Sequence, residues 1–564
     1  MPRVEPSAPM TLDHQPGRYR YLVIGILLLA AVWRAWIATS IPCISRDSVM
    51  FCWYARDLGA QGWEYLRQPA TAQHPLFPVT VLAAQRVARL FGAPDTPMTW
   101  QASGQVVSCL AGMALVVLAG AITLRLVRRL NLPIDARLTG CCGMLLAALL
   151  PLNVWHSAEV MSDQLHAALY LLGVFALLKL DNWKATLLCG LAAGLAFLTR
   201  PEGLVVMLAG IITAASDRGS AWKVRFGRSV VLVSVFLIFA GPYWLTTGTL
   251  SSKKNPLNWL RSSDVAIRMT PATDDDRVAH GFSRGEHESR HSPCAPPSNT
   301  FGYRSPLLAR LQLLDLSWYA IVPWALWMVL RAGRVVIPLL ALFPVFNLRK
   351  RWFSPPLIGL TACMVGHFIL TMLLLYKYHY LAKRHMLVII MLLIPFAAML
   401  LCRLLELTRQ RRGGVVPALI FGICLLPLAV YALRQPNHAD KFLVEAAQEL
   451  VNRDPEISQK VIMGGSSIRR IVFYANARWK YWYEAPDDYE GLQRQIITAR
   501  PDYFIIETGP GFERRGNQNV VEQLGDDVQL AATLKSSATT LIPEGGELHT
   551  FLFDWDITSK PVGH

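Results

Sequence analysis

Three acidic residues stand at the ends of long apolar segments. Asp47 follows the first apolar run, and Glu159 and Asp163 lie between the third and the fourth. Charged groups are costly to bury in a membrane, so an acid at the end of a spanning helix is a candidate for function. A carboxylate there can act as a general base toward a hydroxyl group. For the first acid a purely structural role is open, because Ser45 or Asp47 could cap the helix that follows.

Basic residues cluster on one short loop late in the chain. The segment KYHYLAKRH contains Lys377, Lys383 and Arg384, with tyrosines beside them. Such side chains hold phosphate groups through charge-assisted hydrogen bonds. The alternative is an ordinary anchor of basic and aromatic residues at the membrane interface. The topology derived below places this loop on the outer side, where basic anchors are uncommon, and therefore favours a phosphate site.

The composition is typical of a polytopic membrane protein. The chain has 564 residues, of which 53% are hydrophobic and 17% charged, with a formal net charge of +16. Most of the positive excess lies in short loops between apolar runs, so membrane orientation explains it and nucleic acid is not an expected partner. The 10 cysteines show neither zinc-ligand spacing nor a disulfide framework. Cys43 and Cys52 share one loop and could pair, but buried free thiols are favoured.

The apolar runs predict an α-helical membrane domain between residues 18 and 435, with about eleven spanning helices. Every second loop is basic, which places the N-terminus in the cytoplasm and the acids and the basic loop described above on the outer side. Residues 1–17 are predicted to form a disordered cytoplasmic tail. Arg34 lies in the outer half of the first span and is expected to snorkel toward the headgroups.

Two external loops and a terminal segment complete the predicted organisation. The loop 42–100 is amphipathic and aromatic, which predicts interfacial helices, and residues 318–330 predict another. The loop 247–315 is long and polar. Residues 437–564 combine amphipathic helices with short strands, which predicts a small extracytoplasmic α/β domain. The aromatic run at 473–483 could stack on sugars, but core packing against the membrane domain is favoured.

Acids beside a lipid-phosphate site predict transfer of a sugar from a polyprenyl-phosphate donor to a hydroxyl group. The phosphate is already a good leaving group, so it needs charge stabilisation rather than a proton. The acceptor hydroxyl needs a base, which a carboxylate can supply. The acceptor could be a lipid, a protein or a glycan, and the sequence does not distinguish among them.

The chain resembles the GT-C glycosyltransferases, in the branch that contains the protein O-mannosyltransferases and the lipid A aminoarabinose transferases. The resemblance covers about residues 21–433 and rests on the order and sidedness of short motifs. These motifs are Ser45-Arg46-Asp47-Ser48, His74-Pro75-Leu76-Phe77-Pro78, Ser162-Asp163, Leu198-Thr199-Arg200-Pro201-Glu202-Gly203 and Lys383-Arg384-His385.

The resemblance implies a role for each matching residue. Asp47 becomes the catalytic acid-base residue, Asp163 a second active-site carboxylate, and Lys383 with Arg384 the ligands of the lipid phosphate. The full set of expected substrate-binding residues is His74, Glu159, Arg200, Glu202, Lys377, Lys383 and Arg384. The related families usually carry Asp-Glu in the first loop, where this chain has Asp47-Ser48. No cofactor is required by this reasoning, and a divalent metal stays an open alternative.

Two other classes of membrane protein remain as alternatives. A polysaccharide ligase or polymerase also uses polyprenyl-linked donors, but it would place its key basic residues in one large external loop. A transporter would carry charged residues near the bilayer midplane and often shows repeated halves. The sequence shows neither midplane acids nor such a repeat, which favours the glycosyltransferase.

Overall fold

The computed structural model describes most of the chain. The described residues are 16–67, 73–248, 317–348, 351–378, 381–410, 415–433, 440–465, 468–481, 489–508, 512–527, 530, 533–542 and 546–555. The predicted tail at 1–17 and the predicted external loop at 247–315 lie almost entirely outside these ranges.

Helices dominate the part of the chain before residue 434. The first ten are α1 (Pro16–Ser40), α2 (Arg46–Gln61), α3 (Leu76–Leu90), α4 (Pro97–Arg129), α5 (Ala136–Leu149), α6 (Pro151–Ala158), α7 (Ser162–Leu177), α8 (Trp183–Thr199), α9 (Leu204–Ser216) and α10 (Trp222–Thr247). The next five are α11 (Ser317–Ala332), α12 (Val336–Asn347), α13 (Pro355–Tyr378), α14 (Leu387–Gln410) and α15 (Val415–Leu433). Short 3-10 turns at Gly62–Arg67, Pro201–Gly203 and Lys383–Met386 adjoin α2, α9 and α14.

Several helices are long and apolar enough to cross a membrane. Within the described residues there are five such segments, or up to seven if each of two bent helix pairs forms one span. The pair α5–α6 bends by 54° and the pair α11–α12 by 108°. Residues 318–330, predicted as an interfacial helix, lie within α11, which turns sharply into α12, and the interfacial position stays a prediction. The chain is a multi-pass membrane protein by these helices, while the number eleven remains a prediction.

Small residues let the central helices pack closely. A Cβ atom added at Gly120 of α4 would lie 2.3 Å from Met144 Cγ and 3.0 Å from the carbonyl oxygen of Gly140 on α5. No side chain fits at that distance, so glycine permits the backbones to approach. One apolar core then runs from α1 through α4, α5, α7 and α8 to α14.

The segment between α1 and α4 forms two helices that lie outside this core. Ser45 caps α2, because its side chain accepts a hydrogen bond from the backbone N–H of Ser48 at 3.4 Å. Buried aromatic side chains of α2 join Phe77 of α3 in a separate apolar cluster, and the rings of Phe51 and Phe77 meet edge to face at 5.0 Å.

The C-terminal residues contain a five-stranded sheet with helices packed around it. The strands are β1 (Val461–Gly464), β2 (Arg478–Tyr481), β3 (Tyr503–Thr508), β4 (Leu534–Ile542) and β5 (Gly546–Phe553), in the order β2-β1-β3-β5-β4. The accompanying helices are α16 (Lys441–Arg453), α17 (Arg469–Tyr474), α18 (Tyr489–Ala499) and α19 (Phe512–Asp526). β1 pairs in parallel with β2 and β3, whereas β5 is antiparallel to both β3 and β4.

Aromatic residues join this sheet to the segment between α1 and α4. Trp53 of α2 stacks on Trp479 of β2 with 5.5 Å between ring centroids. The hydroxyl of Tyr474 accepts a hydrogen bond from Ile44 N at 2.9 Å and donates one to Gln101 Oε1 at 2.6 Å. The prediction that the aromatic run packs in a core is confirmed for these two aromatic residues, while positions 482 and 483 lie outside the described residues.

Arg34 does not snorkel. Its side chain is only 1% exposed, and Nη1 donates to the carbonyl oxygen of Ala30 at 3.0 Å. The guanidinium packs between helices, since a Cβ at Gly112 of α4 would lie 3.1 Å from its Nε atom. The snorkelling prediction is wrong because α4 and α6 close over this side of α1.

Candidate active site

Asp47 occupies the first turn of α2 and pairs with a distant arginine. Its Oδ2 atom lies 2.7 Å from Nη2 of Arg384, and the two side chains are 53% and 22% exposed. The cap of α2 is Ser45. The carboxylate of Asp47 is therefore available for another task, and it faces the end of the membrane bundle where α14 begins.

Asp163 forms the second ion pair of this region. It lies in the first turn of α7, is 5% exposed, and accepts a hydrogen bond through Oδ1 from Nη1 of Arg200. Nη2 of the same arginine lies 3.5 Å from Oε1 of Glu202. One guanidinium thus sits between two carboxylates and offsets part of their negative charge.

The break between α8 and α9 explains how Arg200 and Glu202 come to lie side by side. Pro201 cannot continue α8, and the chain makes a 3-10 turn from Pro201 to Gly203. A Cβ atom at Gly203 would lie 2.2 Å from the backbone nitrogen of Phe197, so glycine is required for this close return. The turn projects both charged side chains toward the first turn of α7.

The buried charged groups and Arg384 line one small cavity, which has a volume of about 20 Å³. Its lining residues are Asp163, His166, Arg200, Glu202, His367, Leu370, Thr371, Leu374, Arg384, His385, Leu387 and Val388. Arg384 belongs to this lining and also pairs with Asp47, so it connects the exposed carboxylate to the buried charges. Five of the nine residues predicted from the sequence meet here, namely Asp47, Asp163, Arg200, Glu202 and Arg384.

The other predicted residues differ in their surroundings. His74 is 1% exposed and packs against the rings of Phe197 and Tyr243, at 5.3 and 5.1 Å between centroids. Glu159 follows α6 and is half-buried, and Lys383 is half-buried beside Arg384. The side chain of Lys377 lies outside the described residues.

Three histidines of the cavity were not among the predicted site residues, although His385 belongs to the Lys383-Arg384-His385 motif. His385 Nδ1 accepts a hydrogen bond from Ala382 N at 3.1 Å, which fixes this nitrogen as the unprotonated one. The carbonyl oxygen of His385 lies 3.3 Å from His367 Nε2. The rings of His166 and His367 are 6.4 Å apart. The one sequence signal was spacing, because Asp163 and His166 stand three positions apart on α7 and share a face.

A further acid lies on the inward side of α2. Asp57 is 6% exposed, and burial raises its pKa to about 6, although a hydrogen bond with Tyr65 opposes this shift. It therefore differs from Asp47 on the same helix, whose carboxylate is half exposed and paired with a cation.

The described residues contain no group of three or more His, Cys, Asp or Glu side chains placed to hold a metal ion. Asp47 and Asp163 each face an arginine, and a guanidinium competes with a metal for the same oxygen atoms. Cys43 and Cys52 are both free and buried, as favoured above.

Comparison with solved structures identifies the fold. The oligosaccharyltransferase AglB from Archaeoglobus fulgidus, in complex with an inhibitory peptide and a dolichol-phosphate, superimposes with a TM-score of 0.53 and 11% identity, over 96% of this chain and 75% of AglB. AglB in complex with Zn and sulfate gives 0.54 and 12%, over 94% and 73%. This chain has the GT-C fold. The fold predicted from the sequence resemblance is confirmed.

ArnT from Cupriavidus metallidurans, bound to undecaprenyl phosphate, is also similar, with a TM-score of 0.49 and 14% identity over 95% of this chain and 98% of ArnT. No family model matches the sequence, and no curated protein matches it. The likeness to AglB at this identity concerns the fold, and the chemistry has to be argued from the residues of this chain.

Proposed function

We propose that this protein is an integral-membrane glycosyltransferase that moves a sugar from a polyprenyl-phosphate donor to an acceptor hydroxyl group at the outer face of the membrane. The observation that carries the proposal is the ion pair between Asp47 and Arg384 beside the buried group of Asp163, Arg200 and Glu202. This pair places a half-exposed base next to a cation in a protein that has the GT-C fold.

The cations act on the donor phosphate. Arg384 and Lys383 stand at the start of α14, and both are half-buried, so their charges are screened less than they would be in water. The sugar–phosphate bond breaks with its electron pair going to the phosphate oxygen. Positive charge held at that oxygen stabilises the transition state.

Asp47 acts on the acceptor. Its carboxylate removes the proton from the acceptor hydroxyl while that oxygen forms a bond to the anomeric carbon of the sugar. Binding of the donor phosphate to Arg384 draws this guanidinium away from Asp47, which leaves the carboxylate oxygens free to face the acceptor hydroxyl.

Asp163 and Glu202 position the site rather than take the proton. Both carboxylates are engaged with Arg200, and Asp163 is nearly inaccessible. Arg200 lines the same cavity as Arg384. We assign to this group the task of fixing the electrostatic potential around the donor sugar and phosphate. Glu159 is proposed to contact substrate from its edge, as is Lys377, whose side chain is not described. His74 is proposed to support the site from behind, because its ring is buried against Phe197 and Tyr243.

The finer features of the organisation belong to the same proposal. We propose about eleven spans, a cytoplasmic N-terminus, and an extracytoplasmic α/β domain at residues 437–564. Helix α2 carries Asp47 and also contacts the sheet, because its Trp53 stacks on Trp479 of β2. This agrees with a sheet that lies on the same side of the membrane as the site. The transferred sugar is a hexose or a pentose, and the acceptor is a lipid, a protein or a glycan.

Substitution of Asp47 tests the chemistry. Asp47→Asn preserves the shape and removes the basicity, so we expect the transfer rate to fall by at least about 100-fold with normal accumulation in the membrane. A deletion strain is complemented with wild type or variant, and mass spectrometry measures the glycolipids, glycoproteins and glycans that lose a sugar in the deletion. Glu64→Gln is the matched control, because Glu64 is an exposed acid of the same loop.

Two outcomes would count against the proposal. If Asp47→Asn restores the product as well as wild type does, the base is a different residue. If the deletion leaves every lipid, protein and polysaccharide glycan unchanged, the protein is not a glycosyltransferase of this kind.

A further inference from the structure

A basic groove lies between α4 and α7, away from the candidate active site. It has a volume of about 510 Å³. Its lining residues are Ala121, Leu124, Arg125, Arg128, Arg129, Phe175 and Lys179. The groove therefore combines four cationic side chains with apolar walls.

The cations of the groove are unequally engaged. Arg125 is fixed, because Nη1 donates to the carbonyl oxygen of Phe175 at 2.8 Å and the guanidinium lies 3.5 Å above the Phe175 ring. Arg129 makes an ion pair with Asp181 at 3.0 Å. Among the described residues, neither Arg128 nor Lys179 has an acidic partner, and both are exposed. Two charges are thus free to bind an anion.

An apolar stripe leads along α4 into this groove. Val106, Leu110 and Val117 are 52%, 65% and 47% exposed. With 3.6 residues per turn, these positions and Ala121, Leu124 and Arg128 fall within about 60° of one another around the helix. The stripe is a track for an acyl chain, and it ends at the unpaired cations.

The groove and the active site lie at opposite membrane faces. Gln105 of α4 donates a hydrogen bond to the carbonyl oxygen of Ala158 at 3.0 Å, next to the acids that follow α6. Arg128 is 23 positions further along α4, which corresponds to about 35 Å of helix. The hydrocarbon core of a bilayer is about 30 Å thick. The groove is therefore at headgroup depth in the other leaflet.

We propose that this groove binds the phosphodiester headgroup of an anionic phospholipid, with an acyl chain along the stripe of α4. Arg125 forms the rigid side of the site, and Arg128 with Lys179 contacts the phosphate oxygens. The helix dipoles of α4 and α7 favour cations at their C-terminal ends. That effect accounts for the charges alone, whereas the groove and the apolar stripe fit the two parts of a phospholipid.

Native mass spectrometry of the purified protein tests this site. The protein is titrated with phosphatidylglycerol or with phosphatidylcholine of the same acyl chains, and the bound lipid is counted. We expect wild type to retain phosphatidylglycerol preferentially and Arg128→Ala/Lys179→Ala to bind it about tenfold more weakly or worse. The matched control is Arg218→Ala/Lys223→Ala, which removes one exposed cation between α9 and α10 and another from the first turn of α10.

The outcomes separate the lipid site from simpler explanations. Equal losses in the groove variant and the control would mean that general surface charge attracts the lipid, and the proposal would fail. Equal retention of both lipids by wild type would also overturn it. A third arm adds inorganic phosphate to the lipid-loaded protein. Displacement of the lipid at equal concentration would show a phosphate site without a lipid site.

Discussion

Arg384 and Asp47 form an ion pair with 2.7 Å between Nη2 and Oδ2, although 337 residues separate them in the chain. The pair joins the start of α14 to the start of α2. Because Arg384 also lines the cavity that contains Asp163 and Arg200, its displacement changes the charge at both places. In the proposed function, this contact makes Arg384 the residue that links the donor phosphate to the base Asp47.

Replacement of Arg384 should therefore impair turnover strongly. A lost charge-assisted contact costs roughly 1.5 to 3 kcal/mol. We expect Arg384→Ala to lower the transfer rate by one to two orders of magnitude, at about 1.4 kcal/mol per decade. Arg384→Lys should retain part of the activity, since it keeps the charge and loses the planar fork. Initial rates over a donor titration measure the effect, and Arg86→Ala on α3 is an exposed control. Unchanged kinetics would show that Arg384 is an interfacial anchor.

Loss of Arg200 should destabilise the protein and not only the reaction. Arg200→Ala leaves Asp163 and Glu202 buried without their cation, and breaking a buried pair costs about 3 to 5 kcal/mol. Thermal unfolding in detergent should show a lower midpoint. Adding Asp163→Asn in the same chain should recover part of the loss, because one of the two uncompensated charges is then removed. Additive losses in the double variant would contradict the coupling of these residues.

The buried acid Asp57 should make stability depend on pH. Its pKa is raised to about 6 in the folded protein, whereas an unfolded chain releases this proton near pH 4. Between these values the folded state holds one more proton, so stability falls as pH rises from about 4 to 6 and then levels off. Asp57→Asn should make the thermal unfolding midpoint less dependent on pH over this interval. Glu64→Gln should leave the slope unchanged, and an unaltered slope in Asp57→Asn would refute the assignment.

Arg34 should be dispensable for folding. Its Nε and Nη2 atoms are buried and have no hydrogen-bond partner among the described residues. Replacing a buried charge with an apolar side chain of similar volume is often neutral or stabilising by about 1 to 4 kcal/mol. We expect Arg34→Met to keep or raise the unfolding midpoint, and Arg34→Ala to lower it by opening a cavity. A lower midpoint for Arg34→Met would reveal an anionic partner of this guanidinium.

The sequence predicted the charged ends of the bundle better than its interior. Asp47, Asp163 and Arg384 were identifiable because a charge that interrupts apolar periodicity is conspicuous. Whether Asp47 or Ser45 caps α2 could not be decided, since both residue types cap helices and only coordinates show which oxygen meets the backbone.

Contacts across helices were the harder part. Arg34 was expected to reach the headgroups, because the sequence does not show that Gly112 lets α4 approach and cover it. His166 and His367 were overlooked for a similar reason. A single histidine in an apolar helix has no local sequence pattern that indicates a function. Only the packing of the two helices shows that the rings of His166 and His367 lie 6.4 Å apart.

The contact of Tyr474 with Ile44 spans 430 residues and has a consequence for biosynthesis. The helix that carries Asp47 leaves the ribosome early, but part of its surface is covered by residues that are translated about 430 positions later. At about 5 to 20 residues per second, the interval is roughly 20 to 90 s. During that time α2 exposes Trp53 and its aromatic neighbours, so the nascent chain carries the proposed catalytic loop without its cover. A chain truncated before Tyr474 would keep this loop uncovered. Completion of the loop therefore depends on synthesis of the C-terminal residues.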